Sequence, residues 1–84
     1  MPRIKYTMNR EEKMQEAVKQ KSRDIAGEIG KICGEYRMKD GEFAKETGMT
    51  ASTFSRRLRN LEDMTLGELI RIKLRFPEEF KINI

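Results

Sequence analysis

A single glycine between two short amphipathic segments is the feature that most restricts the fold of this chain. The stretch 40–60 reads DGEFAKETGMTASTFSRRLRN, and its hydrophobic residues recur at helical spacing on both sides of Gly48. Glycine readily adopts the left-handed backbone conformation that ends a helix. Thr50 is a favourable N-cap for a helix that follows. The sequence therefore predicts a helix over 40–47, a turn of about three residues, and a second helix over 51–60.

Two short helices joined by such a turn are typical of a helix-turn-helix. Ala44 lies four residues before the turn glycine and is small enough for the two helices to cross closely there. Met49 before the cap and Phe54 in the first turns of the next helix form a predicted hydrophobic staple. We expect Phe43 and Leu58 to join them in holding residues 40–60 against the other helices.

The N-terminal part of the domain has the pattern of a long helix. Asn9 is a suitable N-cap, and the apolar residues that follow fall on one helical face. This face is interrupted near Ser22, so the sequence allows one helix over 9–36 or two collinear helices. The residues of the apolar face are Met14, Val18, Ile25, Ile29, Ile32 and Tyr36.

Three glycines, Gly27, Gly30 and Gly34, lie on the opposite face of this helix. Each lowers helix stability by roughly 1 kcal/mol relative to alanine. They are interpreted either as exposed glycines that the helix tolerates or as a second surface that another backbone approaches closely.

A fourth helix is predicted after Thr65, which is its N-cap, with Glu68 completing a capping box and Met64 stapled to Leu69. Pro77 ends this helix at or before residue 76. The fold class is therefore all-α, a small helix-turn-helix bundle of four to five helices. We expect one domain over 9–84, preceded by an N-terminal arm or strand over 1–8.

Both ends of the chain alternate apolar and polar residues, which is the period of a strand. Residues 3–7 and 80–84 could pair with each other, within one chain or across a dimer. The alternative is that both ends are frayed, as terminal residues often are.

The composition excludes most catalytic chemistry. The chain has no His and one Cys among its 84 residues, so Ser-His-Asp, Cys-His and thiolate zinc sites cannot form. The single Cys33 cannot make an internal disulfide, which favours a reducing, cytoplasmic location, and we interpret it as a small core residue. We expect a protein that is not an enzyme, with no cofactor, no metal, no small-molecule ligand and no membrane segment.

The outer face of the helix over 51–60 carries the strongest indication of function. The segment 49–61 contains three arginines and no acid, while the whole chain has a net charge of +4. Ser52, Ser55, Arg56 and Arg59 project together, and Thr53, Arg57 and Asn60 flank them. Arginine can bind guanine through two hydrogen bonds, and serine or threonine can contact bases or phosphates. The sequence therefore predicts binding of double-stranded DNA.

The run FAKETGMTASTFSRRLRN, followed by EDMTLGELIRI, resembles the lambda-repressor-like helix-turn-helix family (Cro and repressor, also called XRE). The resemblance covers roughly residues 22–75. It implies that 51–60 is the recognition helix and that a homodimer binds an inverted-repeat operator, often in phage or bacterial gene control. Arg59 and Asn60 would lie nearer the phosphate backbone. The positions that the resemblance places at the recognition helix are Thr50, Ala51, Ser52, Ser55 and Arg56.

The chain departs from the family pattern in three places. Asp40 replaces a residue that is often a phosphate-binding Gln, and Thr47 replaces an aliphatic residue before the turn. The chain also ends without a fifth helix, so the usual C-terminal dimer contact is absent or replaced. The modest net charge of +4, the Asp40 departure and the glycine face of the first helix leave open a second function, a protein-interaction module of helix-turn-helix shape, such as an antitoxin or a phage inhibitor of a host complex.

Overall fold

The computed structural model describes residues 9–83, and these residues form a small all-α globule with no strand among them. Four α-helices and one turn of 3₁₀-helix account for most of this range. The all-α prediction is therefore confirmed. The elements are α1 (Arg10–Tyr36), α2 (Asp40–Glu46), α3 (Ala51–Arg59), the 3₁₀ turn (Leu61–Asp63) and α4 (Leu66–Arg75).

Side-chain caps begin three of the four helices at the predicted residues. The side chains of Asn9, Thr50 and Thr65 each accept a hydrogen bond from the backbone N–H three residues later, at 2.8, 3.1 and 3.1 Å. At α4 the Glu68 carboxylate also accepts the Thr65 N–H at 2.8 Å, which completes the predicted capping box. Each cap satisfies a backbone donor that the helix itself leaves free.

Helix α1 is continuous, so the alternative of a break near Ser22 is wrong. The helix buries only the middle of its apolar face, where Ile25, Ile29 and Ile32 contact the core. Met14 and Val18 remain 62% and 45% exposed. They lie in the first half of α1, which extends away from the globule and gives the described chain dimensions of 57 × 22 × 20 Å.

The core is built around three aromatic rings, of which Phe43 and Phe76 are stacked and Phe43 and Phe54 are tilted. The Phe43 ring lies 5.0 Å from that of Phe54 and 5.6 Å from that of Phe76, between centroids. All three side chains are buried. Ala44 is also fully buried, as expected for a residue at a close helix crossing. Phe43 of α2 therefore contacts both Phe54 of α3 and Phe76, which follows α4. These three rings share one core with the isoleucines of α1.

The C-terminal end is packed without being a strand, so the strand prediction is wrong for residues 80–83. Phe80 and Ile82 are buried. The backbone around them hydrogen-bonds to side chains: Lys73 Nζ donates to the Phe80 carbonyl at 2.6 Å, and the Lys81 N–H donates to Glu28 at 3.0 Å. These bonds remove the need for a strand partner. The predicted N-terminal arm or strand over 1–8 lies outside the described residues.

Candidate nucleic-acid interface

The turn between α2 and α3 has the predicted geometry. Gly48 adopts φ +77°, the left-handed conformation that favours glycine. Thr47 before it is buried, and its hydroxyl donates to the carbonyls of Phe43 at 2.9 Å and Ala44 at 3.2 Å. The hydroxyl of this buried threonine is therefore satisfied by two carbonyls at the end of α2.

Arg71 of α4 secures this turn from outside, which sequence reasoning missed. Its Nε donates to the Thr47 carbonyl at 3.1 Å. The side chain also lies 3.4 Å from the position that a Cβ of residue 48 would occupy. Arg71 and Thr47 are separated by 24 positions in the chain, so no local pattern indicates the contact. The turn is thus held by α4 as well as by its own backbone.

Helix α3 presents one continuous exposed polar surface, which we call the α3 face. Its buried side is anchored by Phe54, which is fully buried. Thr53 is partly buried and accepts a 2.9 Å hydrogen bond from the Thr50 hydroxyl, so it serves the cap rather than the surface. The exposed residues of the α3 face are Thr50, Ala51, Ser52, Ser55, Arg56, Arg59 and Asn60.

Arg57 differs from the other predicted DNA-binding residues because its side chain packs against α4. Its Nε donates to Glu68 Oε1 at 2.9 Å, and the two side chains are only 23% and 6% exposed. Arg57 follows Phe54 by three residues and so lies near the buried side of α3. We therefore place Arg57 in helix packing and leave it out of the α3 face. The acid that compensates its charge lies in the next helix, which inspection of 49–61 alone could not show.

The pKa of Glu68 is lowered. Burial raises it, but the hydrogen bond from Arg57 and the N–H of Thr65 outweigh that effect. A carboxylate with a lowered folded-state pKa stabilises the fold above its unfolded pKa, and this contribution is lost as pH falls through the folded pKa. We expect Glu68→Gln to be less stable than the wild type at neutral pH, by about 1–3 kcal/mol. The difference should shrink in acid, measured by urea unfolding at a series of pH values.

The exposed Glu62→Gln variant is the control for this experiment, since Glu62 lies in the 3₁₀ turn and is exposed. It should follow the wild-type pH profile. A Glu68→Gln difference that is constant from neutral to acid pH would show that the charge of Glu68 does not contribute.

The C-terminal end of α3 adjoins α1, which adds basic residues beside α3. Arg59 and Asn60 line an open cleft together with Lys19 and Arg23 of α1. Arg23 is paired with Glu16 at 3.3 Å, whereas Arg56 and Arg59 have no carboxylate within 4.0 Å among residues 9–83. The cleft also contains Glu62 of the 3₁₀ turn, but no carboxylate of the described residues lies within ion-pair distance of Arg56 or Arg59.

In the described part of the chain, neither the acids nor Cys33 form a metal-binding cluster or a reactive thiol. Residues 9–83 hold no cluster of three or more acidic or thiol side chains that could bind a metal. Cys33 is half-buried beside the core, and burial, with a smaller effect of Asp40, raises the pKa of its thiol. A thiol with a raised pKa is a weaker nucleophile at neutral pH. No helix in the same range is both long enough and apolar enough to span a bilayer.

Comparison with known proteins adds no relative: no family model, no curated protein and no solved structure matches this chain. The α3 face, the Gly48 turn and the charge at their surface are therefore the observations from which a function can be inferred. They combine an exposed polar helix, a rigid support and uncompensated positive charge.

Proposed function

We propose that this protein binds double-stranded DNA by inserting α3 into the major groove and acts as a sequence-specific repressor or regulator of transcription. The observation that carries this proposal is the α3 face, whose exposed residues are hydroxyl, small, amide or basic and include no acid. An α-helix fits the width of the major groove, where each base pair presents a distinct pattern of donors and acceptors. The Gly48 turn and Arg71 hold this helix so that its polar side points outward.

Individual residues of the α3 face would have different roles. Arg56 lies in the middle of the helix and could bind guanine through two hydrogen bonds. Ser52 and Ser55 are one turn apart beside it and could contact base edges or phosphates. Ala51 near the N-terminus could contact a thymine methyl group. Thr50 would lie near a phosphate at the helix N-terminus.

The C-terminal end of α3 would bind the DNA backbone. Arg59 and Asn60 lie at this end, beside Lys19 of α1. Phosphate contacts position a protein on the duplex without reading its sequence. Resemblance to the lambda-repressor-like family supports binding of a homodimer to an inverted-repeat operator, as in phage or bacterial gene control in the cytoplasm.

Fluorescence anisotropy with a labelled random-sequence duplex tests the proposal directly. At about 50 mM salt, non-specific binding is expected at micromolar protein, and the affinity should fall steeply as salt is raised. The double variant Arg56→Ala/Arg59→Ala should lose on the order of tenfold in affinity and show a smaller salt dependence. Lys31→Ala is the control. Lys31 lines the cleft between α1 and the C-terminal segment, and no residue of α3 lines that cleft.

Selection of bound duplexes from a random pool then separates the role of Arg56. If this arginine reads guanine, Arg56→Ala should cost about 1–3 kcal/mol on the selected site and relax the preference at one base position. An equal loss for all sequences would instead make Arg56 a phosphate contact.

A protein-interaction module, such as an antitoxin or a phage inhibitor of a host complex, is the second candidate. The observation that favours it is a row of aliphatic side chains on α4, which we call the α4 row: Leu66, Ile70 and Leu74, exposed by 63%, 40% and 76%. Contiguous exposed apolar surface is typical of protein-binding sites. Absence of any DNA binding at micromolar protein and low salt would favour this function over the first.

A further inference from the structure

The first half of α1 carries an exposed apolar surface, which Glu62 of the 3₁₀ turn borders on one side. Met14 and Val18 are 62% and 45% exposed and lie one turn apart on the side of α1 that is buried further along the helix. Glu11 lies three residues before Met14, and Lys21 lies three residues after Val18. The spacing of three, four and three residues is that of the contact positions of a coiled coil. We call these four residues the α1 row.

We propose that the α1 row is a homodimer interface in which the α1 helices of two copies pack antiparallel. A two-fold axis near Glu16 places Met14 against Val18 of the partner subunit, and Val18 against the partner's Met14. The same axis places Glu11 opposite Lys21 of the partner subunit, and Lys21 opposite the partner's Glu11. The apolar pair is therefore flanked on both sides by opposite charges.

The charges select the antiparallel arrangement. A parallel pair would bring Glu11 beside the partner's Glu11 and Lys21 beside the partner's Lys21, which are like-charge contacts at contact positions. Within residues 9–83, Glu11 and Lys21 have no ion-pair partner, whereas Glu16 and Arg23 on the back of the same helix segment bind each other at 3.3 Å. Glu11 and Lys21 therefore border the exposed apolar residues and are free to pair with a second copy.

The α4 row is less suited to bind a second copy. Helix α4 contains three basic residues, Arg71, Lys73 and Arg75, and one acid, Glu68. That acid is buried in its ion pair with Arg57. Arg75 is paired with Glu46 at 2.9 Å. A symmetric pair of α4 helices would therefore bring Arg71 and Lys73 together with no free acid on α4 to compensate them.

The antiparallel pair also has a consequence for DNA, which rests on the proposed function. The C-terminal end of α3 lies beside Ser22 and Ala26 of α1. The C-terminal segment of the chain lies beside Glu28, on a different side of the same helix. A two-fold axis perpendicular to the helix pair keeps both α3 helices on one side. From the helical rise, the centres of the two globules lie about 38 Å apart along the pair. Successive major grooves on one face of DNA are separated by about 34–36 Å.

A charge exchange tests the interface without DNA, so its failure is distinct from failure of the DNA-binding proposal. Two to three turns of each helix form a small interface, and we expect a dissociation constant in the micromolar range. Sedimentation equilibrium at low salt should show a mass that rises with concentration from 9.9 kDa towards twice that value. Glu11→Lys alone and Lys21→Glu alone should each weaken the dimer by on the order of tenfold, because each puts like charges opposite one another.

An equimolar mixture of the two variants is the decisive sample. In the mixed dimer the lysine introduced at position 11 of one copy faces the glutamate introduced at position 21 of the other. The unchanged Lys21 and Glu11 also face each other, so every contact joins opposite charges and the mixture should recover the wild-type mass. Both substituted positions are exposed, and circular dichroism should show unchanged helicity.

Three results would overturn the proposal. The first is a wild-type mass that stays at 9.9 kDa at all concentrations. The second is a mixture that is no heavier than either variant alone. The third is a dimer that Ile70→Lys on the α4 row dissociates while the α1 variants leave it intact.

Discussion

The Phe43→Ala variant is expected to lose about 3–5 kcal/mol of unfolding free energy, because truncating a fully buried aromatic ring leaves a cavity. A domain of this size has roughly 4–13 kcal/mol in total. Phe43 contacts the rings of both Phe54 and Phe76, at 5.0 and 5.6 Å between centroids, so its removal loosens α2, α3 and the end of α4 together. Urea unfolding followed by circular dichroism would measure the loss.

Leu74→Ala is the matched control for this variant. Its side chain is 76% exposed, so truncation should change the unfolding free energy by no more than about 0.5 kcal/mol. A loss below about 1 kcal/mol for Phe43→Ala would contradict the central position of this ring.

Replacing Gly27, Gly30 and Gly34 together by alanine should raise the unfolding free energy by about 2–3 kcal/mol. Each glycine lies within α1, and an added Cβ would meet no heavy atom within 4 Å. The gain comes from the unfolded chain, in which alanine has less backbone freedom to lose than glycine. The melting temperature of a domain of this size should rise by roughly 10 °C or more, measured by thermal unfolding.

Gly48→Ala is the contrasting control, since the same substitution should here be destabilising. Residue 48 has φ +77°, and an added Cβ would lie 3.4 Å from Arg71. The left-handed conformation costs roughly 1–2 kcal/mol for a residue with a Cβ. If the triple variant is destabilised instead, the glycine face of α1 would not be open. If the triple variant is stabilised but loses DNA binding, the glycine face of α1 would be a surface that another backbone approaches closely.

The local features of the fold could be predicted from the sequence because each depends on a few neighbouring residues. The caps at Asn9, Thr50 and Thr65 each join a side chain to a backbone N–H three residues later. The Gly48 turn depends on the conformational freedom of one residue. Prediction of the exposed positions of α3 succeeded for the same reason, since helical periodicity sets which side faces the core.

Arg57 and the C-terminal residues required the tertiary structure. The charge of Arg57 is compensated by Glu68, eleven residues later, and Phe80 is buried although its segment has the alternation of a strand. Alternation shows only that every second residue is apolar. It does not show which element those residues pack against. Sequence reasoning therefore included Arg57 among the DNA-binding residues and left the C-terminal end open between a strand and a frayed segment.

By itself, then, the sequence determined where the capped helices begin, how the chain turns at Gly48, and which side of α3 is polar. These are interactions over three or four residues, and their geometry is the same in any helical protein. Only the tertiary structure decided which part of the apolar face of α1 enters the core. Ile25, Ile29 and Ile32 are covered by elements that fold back on them, whereas Met14 and Val18 share the same helical face but stay largely exposed, with Glu62 of the 3₁₀ turn beside them. Burial depends on what arrives from elsewhere in the chain, and periodicity within one helix carries no information about that.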